Sequence, residues 1–217
     1  MSAGQRNVIA VVGAESTGKT SLVQELVRLL VCKGLDVAMV PEVLREFCDD
    51  HDRTPHVHEQ LAIARAQTAR IEHAAKQHAW VVADTTALMT AVYSDYIFQD
   101  PSLYEEATRD HAGVALTLLT SLDVSWTPDG FIRDGAHVRE PVDALIRQAL
   151  MANGLSFQVV AGTGVARVNH ALSAVEHLIT AAQRSPTQAV PGRSTWRWFC
   201  DNCDDGECEQ HWLTRLR

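Results

Sequence analysis

An α/β fold, a five-stranded parallel sheet with helices on both faces, is what this sequence predicts, and three observations predict it. Short β-branched apolar runs recur along the chain, stretches of 3.6-residue apolar periodicity separate them, and a glycine-bearing loop joins the first run to the first helix. Strands that alternate with helices are joined by crossovers, so they lie parallel and are covered on both sides.

Val8 to Val12 is the first strand, ending in glycine, and Lys19 to Cys32 is the first helix, with Leu22, Leu26, Leu29 and Leu30 on one stripe. Val37 to Val40 predicts the second strand, closed by Pro41; Glu42 to Cys48 reads as helix and Asp49 to Pro55 as a charged loop. His56 to Gln77 is a long alanine-rich helix. Trp80 to Ala83 forms a buried strand that ends at Asp84 and leads into a helix over Ala87 to Phe98. Val114 to Leu119 is the fourth strand. The stretch Asp123 to Glu140, with Pro128, Gly130 and Gly135, is irregular and has the composition of a lid. Pro141 opens a helix marked by Val142, Leu145, Ile146 and Ala149, Ser156 to Val160 is the fifth strand, and Val165, Val168, Leu172, Val175 and Ile179 line a final helix.

Composition bounds the partners. The 217 residues suit one substantial domain with an appendage, and 46% hydrophobic against 21% charged residues excludes wholesale disorder. A net charge of −8 disfavours nucleic acid as a partner, because a duplex binder neutralises phosphates over a broad basic face. No apolar run approaches the roughly 20 residues of a membrane span, and Met1 to Asn7 holds no secretory apolar segment, so a cytoplasmic protein without a membrane partner is expected. Residues 1–184 read as the folded domain, 185–195 as a linker and 196–217 as a separate tail.

Gly13-Ala14-Glu15-Ser16-Thr17-Gly18-Lys19-Thr20 fits G-x-x-x-x-G-K-[ST] and lies between a predicted strand and a predicted helix. Its glycines let successive backbone N–H groups face one anion, and the helix opening at Lys19, Thr20 and Ser21 adds its positive end. Lys19, one of three lysines in the chain, is placed to reach the terminal phosphates of ATP, and the Thr20 hydroxyl is a ligand for Mg²⁺. Asp84 and Glu42 close two strands at the edge where open parallel sheets bind ligands. Asp84 is a candidate for the metal or for the general base, and Glu42 competes for the base role. Arg133 and Arg139 are candidate lid cations for charge that spreads onto the phosphoryl oxygens, and Trp126 offers a ring for stacking.

These residues carry a family resemblance. The loop GAESTGKT, the run Pro41-Glu42-x-x-Arg45-Glu46-Phe47, Gln67, Asp84-Thr85 and Trp126-x-x-Asp129-Gly130-x-x-Arg133 together resemble the ribosylnicotinamide kinase domain of NadR and its relatives, over about residues 8 to 182. The resemblance implies a sheet of the P-loop nucleoside and nucleotide kinase type, and transfer of the ATP γ-phosphate to the 5′-hydroxyl of a small nucleoside, nicotinamide riboside. It also implies that Gly162-Thr163-Gly164 and Arg167 meet the adenine, that Glu42, Arg45 and Asp84 contact substrate and metal, and that Arg133 and Arg139 are lid arginines. A kinase for another nucleoside or vitamin-like alcohol, or a nucleotide-hydrolysing switch, is the alternative, since this loop serves all of them.

The tail reads as a second site. Cys200, Cys203, Cys208 and His211 form a Cys3His set within twelve residues, the tetrahedral donor set of a structural Zn²⁺. Five acidic residues lie between its ends, which disfavours nucleic acid, and Trp196, Trp198, Phe199 and Trp212 suit a knob that docks on the domain or on an unidentified protein. The loop histidines His51, His56 and His58 read as solvated.

Overall fold

The computed structural model describes residues 7–126 and 135–183. In chain order the elements are β1 (Val8–Val12), α1 (Lys19–Cys32), β2 (Val37–Val40), α2 (Val43–His51), α3 (Val57–Gln77), β3 (Trp80–Asp84), α4 (Ala87–Phe98), α5 (Tyr104–His111), β4 (Leu116–Thr120), α6 (Arg139–Ala152), β5 (Gln158–Val160) and α7 (Gly164–Gln183). Single 3₁₀ turns at Pro101–Leu103 and Ala136–Val138 precede α5 and α6. One contact unit, Met1–Ala181, holds all the described elements except the last residues of α7.

The five strands form one parallel sheet in the order β2-β3-β1-β4-β5. Pleating sends alternate side chains of β1 to opposite faces. Ile9 and Val11 pack with Leu22, Leu26 and Leu30 of α1 and Ala171 and Val175 of α7. Val12 faces the other way, with Leu88 of α4 and Val142 and Ile146 of α6, while Val8 meets Ile71 of α3. All five β1 residues are fully buried, which is why that strand reads as an unbroken apolar run.

The expected doubly covered five-stranded sheet is thus present, and its boundaries shift locally. α2 runs on to His51, three residues beyond the expected Cys48. β4 starts at Leu116 rather than Val114, because the Val114 amide closes a turn on the His111 carbonyl at 3.0 Å. β5 starts at Gln158 rather than Ser156. α6 begins at Arg139, inside the stretch expected to be irregular, and Pro141 occupies its first turn, where a missing N–H breaks no helical bond. The helix α5 was not expected from the sequence: Tyr-Glu-Glu-Ala-Thr-Arg-Asp-His offers only Ala107, Thr108 and His111 to the interior. Residues 127–134 of the lid stretch, the linker and the Cys3His tail lie outside the described residues. Among the described residues, no helix is long and apolar enough to cross a membrane.

β1 sits between β3 and β4, where the strand order reverses, so the crevice for a ligand opens beyond its carboxyl end. Val11 is level with Asp84 of β3, and Val12 with Leu119 of β4. The glycine loop therefore emerges between Asp84 and Thr120.

Candidate functional site

The loop conformation is set by its two glycines. A Cβ on Gly13 would lie 2.0 Å from Thr120 Oγ1, so only glycine lets the chain pass β4 there. Gly18 takes a left-handed conformation (φ 73°) as the N-cap of α1, and Ser16 is also left-handed (φ 53°). Thr17 ties the turn internally: its hydroxyl donates to the Ala14 carbonyl at 2.8 Å and pairs with the Thr120 hydroxyl at 2.7 Å. Such alternation of left- and right-handed residues turns successive main-chain N–H groups toward one concavity, the geometry that holds an anion. Glu15 is buried at its rim, Ser16 and Thr20 are half-buried, and Ser21 is exposed on the outer side of α1.

Lys19, the first residue of α1, folds back across the loop and donates to the Ala14 carbonyl at 2.9 Å. It is only 8% exposed. Burial pushes its ammonium below the ordinary lysine range, and the nearby Glu42 and then Asp84 carboxylates offset part of that. Glu42 is the N-cap of α2 at the end of β2. Burial drives its carboxyl above the ordinary range, the Lys19 charge opposes this, and the Asp84 charge adds to it. Arg45, one turn along α2, brings Nε to 3.6 Å from Glu42 Oε2. Lys19, Glu42 and Asp84 therefore form one electrostatic cluster at the sheet edge.

Asp84 is 2% exposed and accepts from the Thr20 hydroxyl at 2.6 Å through Oδ2. Its other oxygen, Oδ1, is buried and hydrogen-bonded to nothing among the described residues. An orphaned carboxylate oxygen beside a loop hydroxyl is a hard oxygen donor set, and it fits a Mg²⁺ ion that keeps most of its waters. The following residue, Thr85, is left-handed at φ 70°, a conformation that costs a β-branched residue on the order of 1–3 kcal/mol and marks a turn fixed by its surroundings.

Arg167, expected to meet the adenine, is 5% exposed, and its guanidinium is engaged with the protein's own main chain. It donates to the Thr17 carbonyl at 2.7 Å, to the Gly162 carbonyl at 3.2 Å and to Asp123 Oδ1 at 3.4 Å. Burial lowers its pKa, Asp123 opposes that, and the neighbouring Arg139 charge reinforces it. Asp123 also accepts from the Gly162 amide, so the loop after β5 and the glycine loop are joined through one buried cation. Thr163 and Gly164 are exposed at the mouth of that junction. Arg139 is 7% exposed and donates to the Leu122 and Val124 carbonyls at 3.1 and 2.8 Å, holding the entry of the stretch read as a lid. Trp126 is half-buried with its indole N–H unpaired among the described residues. Arg133, Cys200, Cys203, Cys208 and His211 lie outside the described residues. His51 stacks on Phe47 and His56 on His58, and among the described residues no group of three His, Cys, Asp or Glu side chains is arranged to hold a metal.

Two contributors were not singled out by the sequence, and a third, Gln67, was quoted in the resemblance without a role. Thr120 lines the loop and forces glycine at position 13. Asp123 orients Arg167. Gln67 is a 2% exposed amide on α3 that reaches both acid-bearing turns. Its signal was present, since it falls between Ile63 and Ile71 on the buried stripe of the helix, where a polar residue needs partners.

With this geometry in place, comparison with known proteins is informative. No curated protein matches the chain. Among solved structures, the crystal structure of NadR protein in complex with NR superposes with a TM-score of 0.68 at 22% identity, covering 80% of this chain and 52% of that one. The chain thus spans about half the length of that structure, and the two share a P-loop kinase-like fold. A family model described as AAA domain matches residues 8–167, from the first strand through Arg167. The glycine loop, its lysine and the carboxylate-bearing strand ends all fall within that match, and the chain belongs to this AAA domain family.

Proposed function

We propose that the chain is an ATP-dependent phosphotransferase that passes the γ-phosphoryl group to the 5′-hydroxyl of a small nucleoside, with nicotinamide riboside as the acceptor and nicotinamide mononucleotide as the product. The observation that carries the reading is the pair of buried carboxylates facing one phosphate-loop lysine. Binding an anion uses the loop and lysine; transfer to an alcohol also uses an acid on the metal side and one to receive a proton, and the pair present here supports that reading.

The Thr20–Asp84 contact supports a division of the two roles. Asp84 and Thr20 are the residues that would hold Mg²⁺, which when bound neutralises charge on the phosphate oxygens. Glu42 is then the base. Burial has already raised its proton affinity, and general-base efficiency grows as the pKa approaches the working pH. Glu42 takes the proton of the acceptor hydroxyl while that oxygen bonds to the γ-phosphorus and the bridging oxygen leaves with ADP. Lys19 gives up the Ala14 carbonyl for the phosphate oxygens, where its charge is most useful as the bond breaks. Arg45 holds Glu42 from the side of α2.

Three lines support the acceptor: the motifs that resemble the NadR kinase domain, the shared fold, and the description of that solved structure as a complex with NR. A coupled ADP-release assay over a panel of nucleosides and vitamin alcohols, with mass analysis of the product, tests it. ADP release dependent on nicotinamide riboside, with the matching mononucleotide, is the expected result; preference for another alcohol overturns the acceptor, and no acceptor-dependent release overturns the reaction.

A further inference from the structure

We propose that Gln67 is the positioning residue of this site: reaching from α3, it clamps the turn that carries Glu42 and the turn that carries Asp84, and so fixes the spacing of the two acids. The inference rests on the phosphotransferase reading for its kinetic consequence and on geometry alone for the clamp.

Gln67 is 2% exposed, and its amide has a determined orientation. The Val43 main-chain N–H donates to Oε1 at 2.8 Å, and an N–H can only donate, so the NH₂ group must point the other way. There it meets two acceptors, the Pro41 carbonyl at 3.3 Å and the Thr85 carbonyl at 3.5 Å. Pro41 and Val43 flank Glu42, and Thr85 follows Asp84. One side chain therefore holds the peptides on both sides of one acid and the Thr85–Thr86 peptide one residue beyond the other.

The capping arithmetic explains why a residue from a third element is needed. The first N–H groups of α2 have no helical partner, and an N-cap side chain ordinarily accepts from one of them. Glu42 occupies the N-cap position without making that bond. Val43 carries the first helical N–H, one that an N-cap side chain does not ordinarily take, and Gln67 satisfies it from α3 while the Glu42 carboxylate lies beside Lys19. On the other turn, Thr85 sits in a left-handed conformation that a β-branched residue leaves unless held; its N–H donates to the Val11 carbonyl at 3.1 Å and its carbonyl receives the Gln67 amide.

The test uses Gln67→Leu, which removes all three bonds, and Gln67→Glu, which keeps an acceptor for Val43 and loses both donors. Each variant is assayed for turnover per folded molecule, KM for ATP and melting temperature, and its crystal structure is determined. The expected result is a fall in kcat of about tenfold or more with KM for ATP within about twofold, since the glycine loop is untouched. In the crystal, Thr85 leaves the left-handed region and the Thr20–Asp84 bond lengthens. A residue that only packs the core would lower the melting temperature and leave kcat per folded molecule unchanged; that outcome, or a variant structure with the Thr85 turn intact, overturns the proposal. If Gln67→Leu does not fold, Gln67→Glu decides. If the wild-type protein transfers no phosphoryl group, the phosphotransferase reading fails by itself, and the crystallographic comparison still decides the clamp.

Discussion

The Thr20 hydroxyl donates to Asp84 Oδ2 at 2.6 Å, joining the start of α1 to the end of β3 across 64 residues of chain. The bond leaves Asp84 Oδ1 buried and unpaired among the described residues, so the carboxylate is oriented by the loop while keeping one oxygen for a ligand. Asp84→Asn preserves the shape and removes the charge. Turnover is expected to fall by about 100-fold or more while the Kd for ATP without Mg²⁺ changes by less than about threefold. Steady-state kinetics beside fluorescent-nucleotide titration separates the two; equal losses in both would assign Asp84 to binding alone.

Glu42 separates stability from activity. Its folded-state pKa lies above the unfolded value near 4.5, so ionising it costs the folded state more than the unfolded one. That cost is absent below pH 4.5 and grows as pH rises toward the raised folded value. Glu42→Gln should therefore melt higher than wild type at pH 8, with the gap closing in acid, and should have lost its turnover. Melting curves from pH 4 to pH 8 check the sign; a variant that melts lower at pH 8 would mean that attraction to Lys19 outweighs burial.

Gly13→Ala places a methyl 2.0 Å from Thr120 Oγ1. Overpacking of this kind costs about 1–3 kcal/mol. In the Thr120→Ala background that oxygen is gone and the nearest atoms are the Thr120 Cβ and carbonyl at 3.2 Å, so the same change should cost distinctly less. Urea unfolding of the four proteins gives the coupling, and additive effects would show that the loop relieves the clash by moving.

His111 is 3% exposed, with its two ring nitrogens 2.9 Å from Thr86 Oγ1 and 2.8 Å from Thr117 Oγ1. Burial lowers its pKa from 6.5 to about 4. The unfolded chain then takes up a proton before the folded one, and stability drains away as pH falls from 6.5 to 4, on the order of 3 kcal/mol in all. His111→Gln should flatten that part of the melting-temperature profile relative to wild type. Parallel profiles for the two proteins would show that His111 protonates without cost.

Features encoded over short stretches of chain were legible in the sequence. The glycine loop, Lys19 and the ends of β1, β2 and β3 are each specified within about ten residues, and the alternation of strand and helix then brings Glu42 and Asp84 to one edge. Bonds across the fold were not. Thr17 meets Thr120 across 103 residues and Arg167 meets the Thr17 carbonyl across 150, and neither spacing leaves a local trace. The resemblance implied an adenine contact for Arg167; its two terminal nitrogens donate to the Thr17 and Gly162 carbonyls and to Asp123, partners that only folding brings near. α5 escaped notice for a different reason: its interior face is Ala107, Thr108 and His111, too small and polar to register as an apolar stripe.

The Arg167 bridge also orders events in the life of the chain. The nucleotide cradle is written in the first twenty residues, but the carbonyl at its crest is tied down by a side chain of α7. Because synthesis runs from the amino end, the Thr17 carbonyl can gain this tether only after every strand of the sheet has been made.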